Sequence, residues 1–265
     1  MTSAHLRLSF LITAVFIPRP CMAQASVLAH YELNGNAVDS SGFGNDGTVM
    51  GATTTLDRFG APNSAYFFDG VDDYIDIPES TAFDSSPFSI SLWFRAASFP
   101  AEAGMLISKG QNNFEIHTAA IEFTGQSAMK FLPRFVDHGV TMDWHTPADT
   151  YGLDEWTHVV AAYDPGNAIR FYINAIEIPL TGPASLLDAP DNLLNARLGA
   201  RTDNMLYFHG DIDDVRIYNQ VLTANEVGQI YAAVPEPSSI VVFAVTGLLF
   251  AAVPLRRFGR AVSAV

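Results

Sequence analysis

Apolar and polar positions alternate along this chain in short runs, each bounded by Gly, Asn, Asp or Pro. Phe88, Ile90, Leu92 and Phe94 fall on one face of a run, with Ser89, Ser91, Trp93 and Arg95 on the other. Val159, Ala161 and Tyr163 alternate with His158, Val160 and Ala162. Ile169, Phe171 and Ile173 alternate with Arg170 and Tyr172, and Val215 and Ile217 with Arg216 and Tyr218. A period of two places successive side chains on opposite faces of a strand, so each run predicts a strand with one buried face. Many such strands without helices between them predict an antiparallel β-sandwich. One helix is expected. Thr223-Ala224-Asn225-Glu226 has the form of a capping box, and Val227, Ile230 and Tyr231 follow at helical spacing.

The two ends have a different pattern. His5 and Arg7 precede an apolar stretch from Leu8 to Ile17, and Ala23-Gln24-Ala25 offers small residues for cleavage. Residues 1–25 therefore read as a secretory signal peptide, which implies processing by signal peptidase. At the other end, Val234-Pro235-Glu236-Pro237 leads into an apolar run from Ile240 to Leu255, then Arg256-Arg257 and Arg260. An apolar segment ending in arginines reads as a transmembrane helix with its basic end in the cytoplasm, near the short limit for crossing about 30 Å of hydrocarbon. The order of Pro-Glu-Pro, span and arginines in residues 234–265 resembles the PEP-CTERM sorting tail. That resemblance implies an exosortase as processing partner and a carrier exported to the cell surface or extracellular matrix, held only transiently in the membrane. A plain C-terminal anchor is the alternative.

Between the ends lies a body, residues 26–233, long enough for one all-β domain. The chain has 28 acidic and 14 basic residues; the end segments take one acid and five bases, which leaves 27 against 9 and a net charge of −18 on the body. Such a surface repels a phosphate backbone, so nucleic acid is not an expected partner. The single cysteine, Cys21, lies in the leader, so the body has no disulfide and no thiol chemistry.

A series of motifs runs through the body. Ala29-His30-Tyr31-Glu32-Leu33 comes first, then Asp39-Ser40-Ser41-Gly42 through Gly47, Phe68-Asp69-Gly70 through Ile75, and Phe88 to Phe94. Glu155-Trp156-Thr157-His158 precedes Arg170-Phe171-Tyr172-Ile173-Asn174, and Gly210-Asp211-Ile212-Asp213-Asp214-Val215-Arg216-Ile217-Tyr218 closes the series. In this order the motifs resemble the laminin-G-like, concanavalin A-like jelly-roll family over nearly all of 27–232. The resemblance implies an antiparallel jelly-roll sandwich of two sheets, about six or seven strands each, with a concave face. One position departs from the family pattern. Asn174-Ala175 stands where Asn-Gly is usual. Both residues of a two-residue hairpin need positive φ, which would cost Ala about 1 kcal/mol, so a longer or differently built turn is expected there.

Candidate chemistry follows from these motifs. Strict alternation from Asp211 puts Asp213 on the face of Val215 and Ile217, and an inward carboxylate needs a cation or several donors. The resemblance implies a structural calcium held by Asp213, with Asp69 and Asn34 as co-ligands; an aspartate accepting backbone N–H groups is the plainer alternative. Asp39, Asp72 and Asp73 read as turn formers. His138 and His145 lack metal-ligand spacing and read as surface residues, and His158 as a strand residue. Glucanases of this fold carry alternating acids on one strand. Here Asp211 and Asp213 have no third acid, and Glu115 alternates with His117 rather than with a carboxylate. The expectation is therefore a protein that is not an enzyme. Trp93, on the polar face of its strand, and Trp144 and Tyr151, in a polar stretch, are the candidates for stacking on sugar rings. The leading expectation is a non-catalytic carbohydrate-binding domain that recognises extracellular polysaccharide or a cell-surface glycan. A protein-binding or structural envelope module is the alternative, and a laminarinase-type glycoside hydrolase a more distant one.

Overall fold

The computed structural model describes residues 26–84, 87–100, 103–109, 114–121, 125–133, 144–165, 168–182 and 194–233. The leader, the tail with its apolar run, and His138 lie outside the described residues. Among the described residues no helix is long and apolar enough to cross a membrane.

In chain order the strands are β1 (Val27–Tyr31), β2 (Thr48–Met50), β3 (Thr53–Thr55), β4 (Ala65–Asp69), β5 (Tyr74–Ile77), β6 (Phe88–Ala96), β7 (Ala103–Lys109), β8 (Phe114–Ile121), β9 (Gly125–Pro133), β10 (Trp144–His145), β11 (Thr157–Asp164), β12 (Ala168–Ile173), β13 (Ile176–Ile178), β14 (Ala196–Leu198) and β15 (His209–Tyr218), followed by helix α1 (Ala224–Ala232). They form an eight-stranded sheet in the order β13-β12-β11-β6-β15-β4-β3, with β1 also on β15, and a seven-stranded sheet in the order β10-β9-β8-β7-β14-β5-β2. All the strand pairs within the two sheets are antiparallel. The expected sandwich is found, with one sheet wider than expected because β1 and β4 share one edge of the long β15.

The alternation explains the layering. Leu92 and Phe94 on β6, Val159 on β11, Phe171 on β12, and Ile212 and Val215 on β15 meet Ile75 and Ile77 on β5, Leu106 and Ile107 on β7, Ile116 on β8, Met129 on β9 and Leu198 on β14 in one apolar core. Burying each such side chain contributes about 1.5–3 kcal/mol, which suits a body without disulfides. Gly199 (φ 82°) turns the chain beside the Phe68 ring, where a Cβ would have no room. At the end of β7, fully buried Lys109 is ion-paired to Asp84.

Helix α1 begins with the predicted box. The Glu226 N–H donates to Thr223 Oγ1 at 3.3 Å, and the Thr223 N–H donates to Glu226 Oε2 at 2.7 Å. Its apolar residue Val227 joins Val160, Tyr172, Tyr218 and Leu222 in a second cluster on the outer face of the eight-stranded sheet. The turn after β12 corrects the sequence expectation. Ile173 pairs directly with Ile176, so the hairpin has two residues, Asn174 (φ 50°) and Ala175 (φ 64°). The strained alanine is tolerated because Asn174 is pinned: its N–H donates to the His158 carbonyl and its Oδ1 accepts the His158 N–H, both at 2.9 Å.

Candidate functional site

The outer face of the eight-stranded sheet holds two of the expected site residues, Trp93 and Asp213, in a setting different from the one expected. Trp93 does lie opposite the core, but it is only 7% exposed. Tyr231 of α1 stacks on it at 5.4 Å and 15°, His158 packs against it at 5.0 Å, and the Arg58 guanidinium lies 4.7 Å over its ring. Helix α1 therefore covers the tryptophan that was expected to be free for a ligand. His158 is fully buried; its Nε2 lies 2.9 Å from Ser91 Oγ, and burial lowers its pKa to about 3.

Asp213 also needs correction. A bulge between Asp213 and Arg216 interrupts the alternation, with Asp214 at φ 47°. Ile212 and Val215 both enter the core, and Asp213 faces outward beside its register partner Trp93. A β-bulge adds one residue to one strand and resets which face follows, so counting by twos across it fails. Arg58 donates to Asp213 Oδ2 at 2.8 Å and to Asp214 Oδ2 at 3.2 Å. Asp214 Oδ1 lies 2.9 Å from His30 Nε2 and 3.0 Å from Arg216. Burial pushes the Asp213 carboxyl up to about 7 against the pull of Arg58. Burial also opposes ionisation of Asp214, but the hydrogen bond from His30 and the charges of Arg216 and Arg58 hold it below the usual range. One neighbouring group repeats the arrangement: Asp211 pairs with Arg95 at 2.7 Å, and Arg95 lies 5.2 Å over Trp156.

The other candidates scatter. Tyr151 is a core residue, edge-on to Phe94 at 5.5 Å and Phe99 at 5.9 Å. Trp144 lies in β10, paired with β9, and is 6% exposed against Gly182. Neither presents a ring to a ligand. His145 is half-buried on the same short strand. Asn34 is exposed and donates to Glu32. Asp69 closes its own turn, accepting the N–H of Val71 at 2.8 Å and of Asp72 at 3.3 Å. One oxygen each from Asp69, Asp72 and buried Asp73 lie within 4.8 Å of one another, a spacing that suits a divalent cation. Burial raises the Asp73 carboxyl, opposed by the Asp69 N–H it accepts. Calcium at Asp213 does not fit this structure, because a guanidinium already holds that carboxylate.

The seven-stranded sheet carries a polar network on its outer face. Ile75 and Ile77 point inward, which leaves Tyr74 and Asp76 outward; Ala196 and Leu198 likewise leave Arg197 outward. Asp76 and Arg197 are register partners. Arg197 Nε donates to Asp76 Oδ1 at 2.9 Å, its Nη1 donates to Asn204 Oδ1 at 2.9 Å, and its guanidinium lies 4.1 Å over the Tyr74 ring. Asn195 Nδ2 donates to Asp76 Oδ2 at 2.6 Å. Register extends this row from Thr48 through Asp76 and Arg197 to Ser108, which is fully buried and donates to the Ala200 carbonyl. The result is an amide, carboxylate, guanidinium and aromatic set on a half-open platform.

A family model for the concanavalin A-like lectin/glucanases superfamily, of laminin G type, matches residues 68–228. The chain belongs to this superfamily. A curated relative, adhesion G-protein coupled receptor V1 of Danio rerio, is 27% identical over 151 residues, 54% of this chain and 2% of the receptor. The chain thus spans a very small part of that relative. Among solved structures, domain 4 of AbnA, a GH43 extracellular arabinanase from Geobacillus stearothermophilus, in complex with arabinotriose, is similar at a TM-score of 0.59 and 22% identity, over 78% of this chain and 98% of that one. The binding domain of Paraclostridial Mosquitocidal Protein 1 reaches a TM-score of 0.61 at 16% identity, over 78% of this chain and 52% of that one. At these identities the likeness is one of fold.

Within this superfamily domain, the Tyr74–Asp76–Arg197–Asn204 network is the part that sequence reasoning missed. Its signal was present: Tyr74-Ile75-Asp76-Ile77 and Ala196-Arg197-Leu198 each alternate apolar with polar. Nothing in the sequence tells that the two short strands are neighbours, and only that pairing turns separate residues into a network.

Proposed function

We propose that this chain is an exported, non-catalytic carbohydrate-binding domain, and that the outer face of the seven-stranded sheet is its ligand surface. The observation that carries the reading is the Arg197 network. Sugar hydroxyls need paired donors and acceptors held in place, and Asp76, Asn195, Arg197 and Asn204 supply both beside an aromatic ring. The superfamily match supports a binding role, and a domain of similar size and fold is seen with arabinotriose. A catalytic reading is less favoured. Asp211, Asp213, Asp214 and Asp76 are each ion-paired, and Asp213, although its pKa is raised, is closed in by Arg58 and Trp93. A protein-binding or structural envelope module is the second reading, favoured by the receptor relative. Export rests on the leader and tail, with signal peptidase and exosortase as processing partners and the cell surface or matrix as destination. The place for calcium in this reading is the Asp69, Asp72 and Asp73 loop.

The test is a neutral-oligosaccharide panel, with arabinan, laminarin and agar fragments, followed by calorimetry on any hit. Arg197→Gln should weaken binding by about tenfold to a hundredfold, the size of lost charge-assisted hydrogen bonds. Asn204→Gly, which keeps the left-handed turn (φ 62°) and removes only the amide, should weaken it several-fold without changing stability. Unchanged affinity in both variants, or release of sugars by the wild type, would overturn the proposal.

A further inference from the structure

We infer that Arg58 is the resident structural cation of this domain: its guanidinium fills the carboxylate node of Asp213 and Asp214, and the node takes no divalent metal. The bulge makes this possible. Consecutive residues of a regular strand point to opposite faces, yet here both neighbouring carboxylates reach one guanidinium. The Arg58 side chain is 8% exposed, and those of Asp213 and Asp214 are 4% and 10% exposed. Its loop is set by Asp57, whose Oδ1 accepts the N–H of Phe59 at 2.9 Å and of Ala61 at 2.7 Å.

Charge and shape point the same way. Arg58 and Arg216 balance Asp213 and Asp214, with His30 as a further partner of Asp214. A calcium ion added to this balanced set would bring two uncompensated charges. Calcium also seeks six to eight oxygen ligands, whereas the carboxylate oxygens here already face nitrogen donors. The Arg58 guanidinium lies 4.6 Å over the Phe59 ring and 4.7 Å over the Trp93 ring. Two aromatic faces suit a flat, weakly hydrated cation and not a hydrated divalent ion. The co-ligands implied by the family resemblance, Asn34 and Asp69, are engaged with Glu32 and with the Asp69 turn.

Thermal melts of the full chain at about pH 8, in EDTA and in millimolar calcium, test this. Asp69→Asn/Asp72→Asn removes the separate acidic loop, and in that background calcium should leave the melting temperature unchanged. Arg58→Met should lower the melting temperature by about 10 °C, as expected when one partner of a buried ion pair is lost, and Arg58→Lys should lower it by less. If Arg58→Met does not fold, the calcium comparison on the protein with Arg58 intact decides alone. A calcium increment that survives the loop variant and vanishes with Asp213→Asn would overturn the assignment. So would an Arg58→Met protein that melts like the wild type.

Discussion

Acid should unfold this domain in a way that traces to His158. The imidazole is fully buried against both Trp93 and Tyr231, and burial lowers its pKa from 6.5 to about 3, with the Arg58 and Arg216 charges adding to the effect and Asp214 opposing it. The folded state therefore binds fewer protons than the unfolded chain below 6.5. The stabilising contribution is complete above 6.5 and is lost as pH falls toward 3. At about 1.36 kcal/mol per pH unit, lowering the pH from about 6.5 to about 5 removes about 2 kcal/mol, or roughly 4–8 °C in melting temperature for a body of this size. The assay is urea denaturation of the full chain at about pH 7, 6 and 5, beside His158→Phe. The variant loses the Ser91 contact at every pH, which offsets its stability uniformly, but it has no imidazole to protonate. The gap between wild type and variant should thus narrow by about 2 kcal/mol across the range. Parallel pH profiles for the two proteins would refute the argument.

Two further substitutions test local structure. Ala175→Gly should stabilise the chain by about 1 kcal/mol, because Ala175 sits at φ 64° where only glycine is unstrained; an unchanged or lower urea midpoint would contradict that reading. Thr223→Ala should cost about 1 kcal/mol by removing the cap from α1, and should also raise acrylamide quenching of Trp93, since Tyr231 of the same helix covers it.

The sandwich was legible because alternation is a local signal and the core needs it everywhere. Phe88 to Phe94, Val159 to Tyr163 and Ile169 to Ile173 face as their spacing dictates, and the capping box starts α1 where the sequence places it. Asp213 was misread for one reason: a single bulged residue exchanges the faces, and nothing around Asp211-Ile212-Asp213-Asp214 announces a bulge in advance. Trp93 was placed on the correct face, but the cover over it comes from Tyr231, more than a hundred positions away, which local periodicity does not reach. Trp144 and Tyr151 lie in a stretch whose composition is polar, and their burial is decided by Gly182, Phe94 and Phe99. The alternation around Asp76 and Arg197 is visible in the sequence, but the Arg197 network depends on the adjacency of β5 and β14, which is not.

The pairing of β1 with β15 has a consequence for how the protein is made. His30 and Asp214, joined across that pair, are 184 positions apart in the chain. The first strand has no edge to pair with until nearly the whole body has emerged, so synthesis cannot yield a closed sandwich early. Folds dominated by such distant contacts close slowly, on a scale of about milliseconds to seconds. The order of strands along this chain therefore leaves β1 without its sheet partner until β15 has been made.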